Sequence, residues 1–359
     1  MFLKNAWYCA GWDHQVGIGR DDLVTRRIAN QSILLYRTPE GQVVAMEDRC
    51  PHRSAPLSLG RKEGDAIRCM YHGMLFGADG KCRHIPGMER IPDNARVPTM
   101  PVVERSGWIW VWMGDPAKAD PDLICYAIGP DEPGWVLRTN HIMINTDYRQ
   151  EIHNLADLSH ISWVHDVTFA GSDDWGYIKP RHSMTPRGIE TRYCVRGIPA
   201  PNFVKHLFPE DARFDIQVHV RLSVPCNFIL NFAVHEAGDA TSGPTNGRLL
   251  LDTYSSQAVT PREEGSVDYY FSWGVSEETN FPGIVELMHR TNYQAFLEDK
   301  RILEGQWQRM QEYPGAPEID IVHDAGPGRM FWVLDKLLAE EAAEAEAQAA
   351  QPEAEVALS

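Results

Sequence analysis

Apolar residues in the first third of the chain come in short runs separated by turn signals. Ile33-Leu34-Leu35-Tyr36, then Pro39-Glu40-Gly41, then Val43-Val44-Ala45-Met46 predicts a hairpin. Met74-Leu75-Phe76 followed by Ala78-Asp79-Gly80 predicts a second one. Trp108-Ile109-Trp110-Val111-Trp112 is a strand whose three indoles share one face, and it closes a β-rich domain over residues 1–115. The Pro and Asp content of Gly114-Asp115-Pro116 through Asp120-Pro121-Asp122 marks a linker.

A second domain, residues 116–340, follows a different pattern. It opens with a helical segment near 147–160, continues through apolar strands such as Phe228–Val234 and Tyr269–Trp273, and reaches a long helix from about 283 to 312. On a projection of that helix, Val285, Met288, Asn292, Ala295, Phe296, Ile302, Leu303, Gln306 and Met310 fall within about 60° of Asp299. Asp299 therefore points into the packed stripe, and Glu298, Lys300, Arg301 and Glu304 lie outside it. Strands and helices are segregated rather than alternating, which predicts an α+β fold and not a doubly wound parallel sheet.

At 359 residues the chain can hold two sizeable cores. A net charge of −16 argues against nucleic acid as a partner, since that partner asks for a basic footprint. Part of the charge belongs to an Ala/Glu-rich tail, residues 341–359. That tail is expected to extend the last helix and then fray into disorder. The N-terminal residues lack a secretory pattern, and no apolar run approaches the roughly 18 residues of a membrane span. Seven cysteines without paired spacing fit a reducing, cytoplasmic location. No complete G-x-G-x-x-G or P-loop motif is present, so no nucleotide site is indicated.

Chemistry enters at two short loops, Cys50-Pro51-His52-Arg53 and Cys69-Met70-Tyr71-His72-Gly73, with 16 residues between His52 and Cys69. Each loop offers one thiolate and one imidazole. Two cysteines on one iron and two histidines on the other make a Rieske [2Fe–2S] centre, with a potential above that of an all-cysteine cluster. A structural zinc site is the bland alternative. Zinc sites usually bring paired cysteines, and a C-x-H half is unusual for them. Pro51 stiffens one loop and Gly73 lets the other turn tightly, so backbone N–H groups can point at the sulfurs.

A one-electron relay attached to so large a second domain needs an acceptor. Asn154, Asp157 and His160 recur every three residues along one side of the predicted helix. His165 lies five beyond His160, so the two imidazoles can meet at one ion only if the helix ends or distorts between them. Two histidines and one carboxylate form the facial triad of non-haem Fe(II) oxygenases, and Asp299 can supply the carboxylate. From these residues alone the bland readings stay open: His160 as a satisfied core histidine, His165 as a surface residue and Asp299 paired with a buried arginine.

Together with Pro101-Val102-Val103-Glu104-Arg105, Gly114-Asp115-Pro116 and Asp324-Ala325-Gly326, these motifs resemble the oxygenase component of Rieske non-haem iron oxygenases. The resemblance runs from Asn5 to about Leu338 and looks nearest to vanillate and dicamba O-demethylases and toluenesulfonate methyl-monooxygenase. It implies an N-terminal Rieske domain followed by a helix-grip catalytic domain, an antiparallel sheet with long helices. The cofactors would be a [2Fe-2S] cluster held by Cys50, His52, Cys69 and His72 and a mononuclear Fe(II) held by His160, His165 and Asp299. The resemblance also implies a head-to-tail homotrimer in which Asp157 bridges His72 of one subunit and His160 of the next, with Asn154 lining the iron pocket. Asn231 and Gln257 stand where relatives place substrate-orienting polar groups. The partners implied are a separate NAD(P)H-dependent reductase, with or without a ferredoxin, O2 and a small aromatic substrate that is hydroxylated or O- or N-demethylated. Ring dihydroxylation is the rival chemistry within the family, and a Rieske electron carrier without oxygenase activity is the rival class.

Overall fold

A computed structural model describes residues 1–350 except Tyr126, Gly171, Thr241 and Ser242. The N-terminal third forms three small antiparallel sheets. Trp108–Trp112 sits between Trp7–Trp12 and Val102–Arg105 in the first, and the expected hairpin of Gln31–Arg37 with Val43–Glu47 is the centre of the second. Leu75–Phe76 and Cys82–His84 lie in the third, with the Asp79-Gly80 turn between them and Gly80 at φ +74.

The strand Trp108–Trp112 is buried on both faces, because its alternate side chains serve two different cores. Ile109 and Val111 face the N-terminal sheets beside Tyr8 and Ala10. The three indoles face the second domain and pack with Leu137, Ile229, Tyr254 and Tyr270.

That second domain is one seven-stranded antiparallel sheet. Its spatial order is Trp135–Ile144, Ser266–Ser276, Leu249–Glu263, Asn227–Glu236, Phe214–Ser223, Gly188–Ile198, Arg181–Thr185. Three helices lie against it: α1 (Tyr148–Ala156), α3 (Ile284–Glu312) and α4 (Ala325–Ala350), with a four-residue α2 (Ile161–Val164) after α1. The long helix matches its sequence expectation to within a residue. Its buried stripe holds Val285, Met288, Asn292, Ala295, Phe296, Asp299 and Leu303, whereas Ile302, at 52%, and Gln306 are exposed and Met310 is only half-buried.

The last helix continues beyond residue 340, into the Ala/Glu-rich tail. Described as helical through Ala350, it places the Glu341 carboxylate on the backbone N–H groups of Lys4 and Asn5, at 2.8 and 2.6 Å. Glu344 pairs with Lys118 in the linker. Charge near a terminus reads as solvated when its partner lies more than 200 residues away in sequence. Residues 351–359 lie outside the described residues.

Candidate functional site

The two cysteine–histidine loops share one backbone plan. In each, the N–H four residues after the cysteine donates to the cysteine carbonyl, Ser54 to Cys50 and Gly73 to Cys69, both at 2.9 Å. In each, the cysteine N–H donates to the carbonyl five residues on, at 2.9 and 2.8 Å. The fourth position is left-handed in both, at φ +56 for Ser54 and +76 for Gly73. Tight turns of this kind aim both side chains of a loop at one point. Cys50 and Cys69 are buried, and the imidazoles of His52 and His72 bring their Nδ1 atoms to 3.1 Å with the rings facing solvent. Burial raises the Cys50 thiol pKa, and the backbone N–H groups of His52 and Arg53 oppose that shift, as donors that stabilise a thiolate do. Two buried sulfurs and two converging ring nitrogens fit the Rieske donor set.

The second cluster is built where α1 ends. Asp157 terminates α1, and its carboxylate accepts from the Ser159 N–H at 2.8 Å and from the Ser159 hydroxyl at 2.9 Å, starting a tight 3-10 turn at Leu158–His160. The helix resumes for Ile161–Val164 and stops at His165, whose carbonyl collects the N–H groups of Thr168, Phe169 and Ala170. This distortion lets residues 160 and 165 meet, with ring centroids 5.2 Å apart.

Each imidazole has its tautomer set from behind. His160 donates through Nδ1 to the Asp157 carbonyl at 2.5 Å, and His165 donates through Nδ1 to the Glu298 carboxylate at 2.9 Å. Both Nε2 atoms are thereby left facing Oδ1 of Asp299, at 3.7 and 3.4 Å. Ligand atoms of His160, His165 and Asp299 all lie within 4.8 Å of one another. Asn154 adds its amide to Asp299 at 3.0 Å.

The electrostatics fit a cation. Burial would raise the Asp299 pKa, but hydrogen bonding to His165, the two imidazoles and the Asn154 amide outweigh it and hold the carboxyl below its usual range. Burial would lower His165, but Asp299 and Glu298 outweigh it and bring it to about 9. His160 is lowered, mainly by burial. A fully buried carboxylate that stays ionised beside two aligned Nε2 atoms is a ready ligand set for a borderline dication such as Fe(II), with one face left to the cavity.

Glu298 corrects the sequence reading, which placed it on the solvated side of α3. Adjacent residues on a helix diverge by about 100°. The glutamate is nevertheless long enough to reach back from the edge of the stripe to the His165–Ala170 turn, where it also accepts from the Thr168 hydroxyl at 2.8 Å. The available signal was chemical: a ligand histidine needs an acceptor for its other ring N–H.

The cavity beside the cluster is lined by Phe228, Leu230 and Phe232 from one strand, by Trp273 and Gln257 from the next two, and by Phe169, Trp175 and Phe296. Gln257 is therefore at the site. Asn231 is not, a second correction: strand side chains alternate, so Asn231 takes the face opposite Leu230 and gives its amide to Asp252 and the Thr253 carbonyl, at 2.7 and 3.1 Å. Thiolate–imidazole loops in one domain and a two-histidine–carboxylate site in the other define an iron–sulfur oxygenase.

Comparison with known proteins agrees at family level. The Rieske [2Fe-2S] domain family matches residues 6–101, and the vanillate O-demethylase oxygenase C-terminal domain family matches residues 144–340. The iron–sulfur subunit of the toluene-4-sulfonate monooxygenase system of Comamonas testosteroni is 34% identical over 344 residues, covering 94% of this chain and 97% of that one. The oxygenase component of chloroacetanilide N-alkylformylase from Rhizorhabdus wittichii is 44% identical over 172 residues, 47% of this chain and 49% of that one. Dicamba monooxygenase bound to 3,6-dichlorosalicylic acid superposes with a TM-score of 0.85 at 28% identity, covering 95% of this chain and 99% of that one. The chain belongs to the Rieske non-haem iron oxygenases, as the oxygenase component of a multicomponent monooxygenase. Its cofactors are a Rieske [2Fe–2S] cluster and a mononuclear iron held at the His160–His165–Asp299 cluster. Among the described residues, no helix is long and apolar enough to cross a membrane.

Proposed function

We propose that the chain inserts one oxygen atom of O2 into a C–H bond of a small aromatic compound, with overall balance RH + O2 + 2 e⁻ + 2 H⁺ → ROH + H2O. When the attacked carbon is a methoxy or N-alkyl carbon, the hemiacetal or hemiaminal product loses an aldehyde and the outcome is dealkylation. The carrying observation is the two Nε2 atoms and Asp299 opening onto an aromatic-lined cavity. Bound iron supplies the activation of O2. The protein fixes the ligand tautomers through Asp157 and Glu298, holds the substrate between aromatic rings and keeps bulk water out.

Electrons come from a separate NAD(P)H-dependent reductase, with or without a ferredoxin, and enter at Cys50, His52, Cys69 and His72. They cross to the iron of a neighbouring copy in a head-to-tail homotrimer, with Asp157 between the two centres. Two exposed apolar patches support this arrangement. Met70 and Tyr71 flank the cluster loop at 54% and 65% exposure, and Trp163, Val167 and Tyr177 flank the iron helices at 59%, 75% and 77%. Vanillate and dicamba relatives are demethylases, and other relatives are named for a sulfonate and an anilide, so this chain shares a reaction type whose substrates differ in charge. NADH-dependent O2 uptake with a reconstituted reductase tests the reading, using a panel of methyl, methoxy and N-alkyl aromatics. One ¹⁸O atom per turnover is expected, in the alcohol where a methyl group is hydroxylated and in the released aldehyde where an alkyl group is lost, whereas two ¹⁸O atoms in the ring product would identify a ring dioxygenase.

A further inference from the structure

The lining of the iron-site cavity carries information about the charge of its substrate. No lysine or arginine contributes to it among the described residues. His160, His165 and Asp299 are committed to the metal, which leaves Asn154 and Gln257 as polar lining. The Asn154 amide is engaged by Asp299 at 3.0 Å. The Gln257 carboxamide is engaged at both ends, donating to the Ser255 hydroxyl at 2.9 Å and accepting from the Tyr269 hydroxyl. The rest of the wall is aliphatic and aromatic.

An anionic substituent entering this space would find no counter-charge. Bound ferrous iron would not leave a net positive charge, because Asp299 beside the two Nε2 atoms and Glu298 behind His165 together carry two negative charges. A carboxylate or sulfonate removed from water without a cation or a full set of donors is strongly disfavoured. An uncharged ring substituent carries no such cost against this wall.

We propose that this oxygenase acts on uncharged aromatics, such as aryl alkyl ethers or N-alkyl anilides, and discriminates against aromatic acids. The proposal rests on the oxygenase reading above and specifies the substrate class of the same site.

The test uses the full-length holoprotein and pairs of equal shape, 3-methoxytoluene against 3-methoxybenzoate and an N-alkyl anilide against its ring-carboxylated analogue. Binding is read by calorimetry and by quenching of tryptophan fluorescence, independently of turnover. Each neutral member should bind at least tenfold more tightly than its acid, and Gln257→Arg, which adds a cation to the wall, should narrow or reverse that ratio. An acid binding as tightly as its neutral counterpart, or no neutral member binding at all, overturns the proposal whether or not the variant folds. O2 uptake is measured in parallel. Neutral compounds that bind without stimulating O2 uptake would leave the charge assignment standing and defeat the oxygenase reading instead.

Discussion

At the residue scale, the iron site separates two adjacent carboxylates by what each one touches. Asp299 faces both Nε2 atoms and Glu298 holds the other side of His165. Asp299→Ala should reduce the metal content from three irons per chain to two while leaving the Rieske EPR signal unchanged. Glu298→Ala removes the acceptor that orients His165, and a loss of roughly 10- to 100-fold in iron affinity is expected, as for other partners of metal-bound histidines. Glu298→Gln keeps an acceptor oxygen and should recover much of that loss in an iron titration. Asp157 makes a different prediction. Asp157→Asn preserves the backbone carbonyl that holds His160 and an oxygen that can cap Ser159, so both metal centres should load. On the proposed head-to-tail arrangement, turnover should nevertheless fall by orders of magnitude in a steady-state assay, because the charge proposed to lie between neighbouring centres is lost.

Elements differ in how legible they are from sequence, according to how local their determinants are. The metal loops could be read from residues 50–53 and 69–73 because ligand spacing and turn chemistry lie within five positions. The position of Gly73 makes the turn requirement testable, since a Cβ there would sit at φ +76 and 2.9 Å from Cγ of Pro86. Gly73→Ala should therefore destabilise the loop by roughly 1–2 kcal/mol and lower the acid-labile sulfide per chain. Ser54→Gly, which relieves the equivalent left-handed residue, should not. Asn231 was harder to place. The run Phe228–Val234 is apolar on both faces, so the sequence contains no local mark of which face meets the cavity. Glu298 was missed for a related reason: helix phase locates a Cα, whereas a long side chain can cross the boundary that the phase defines.

For the whole molecule, the unreadable part is the contact between distant segments. Glu341 and the N–H groups of Lys4 and Asn5 are more than 330 residues apart, and no periodicity announces their meeting. The contact joins the last helix to the first residues and, through Glu344 and Lys118, to the linker. Glu341→Ala removes two charge-assisted hydrogen bonds from a partly exposed site. A loss of about 1–3 kcal/mol is expected, visible as a Tm lowered by a few degrees with both metal centres retained.

The indole-bearing strand Trp108–Trp112 has its own consequence for anyone who would cut the protein in two. The polypeptide offers an inviting scissor point at residue 115, in a proline-rich connection, but the interior offers none. A fragment ending there would carry Trp108, Trp110 and Trp112 with their second-domain neighbours stripped away. Each indole hides on the order of 200 Å² when buried, worth several kcal/mol apiece at ordinary transfer values. Such a fragment should be recovered as aggregate, and coexpression of residues 116–359 as a separate chain should return it to solution. What looks like two modules on a string is, for expression and for evolution by domain exchange, a single inheritance.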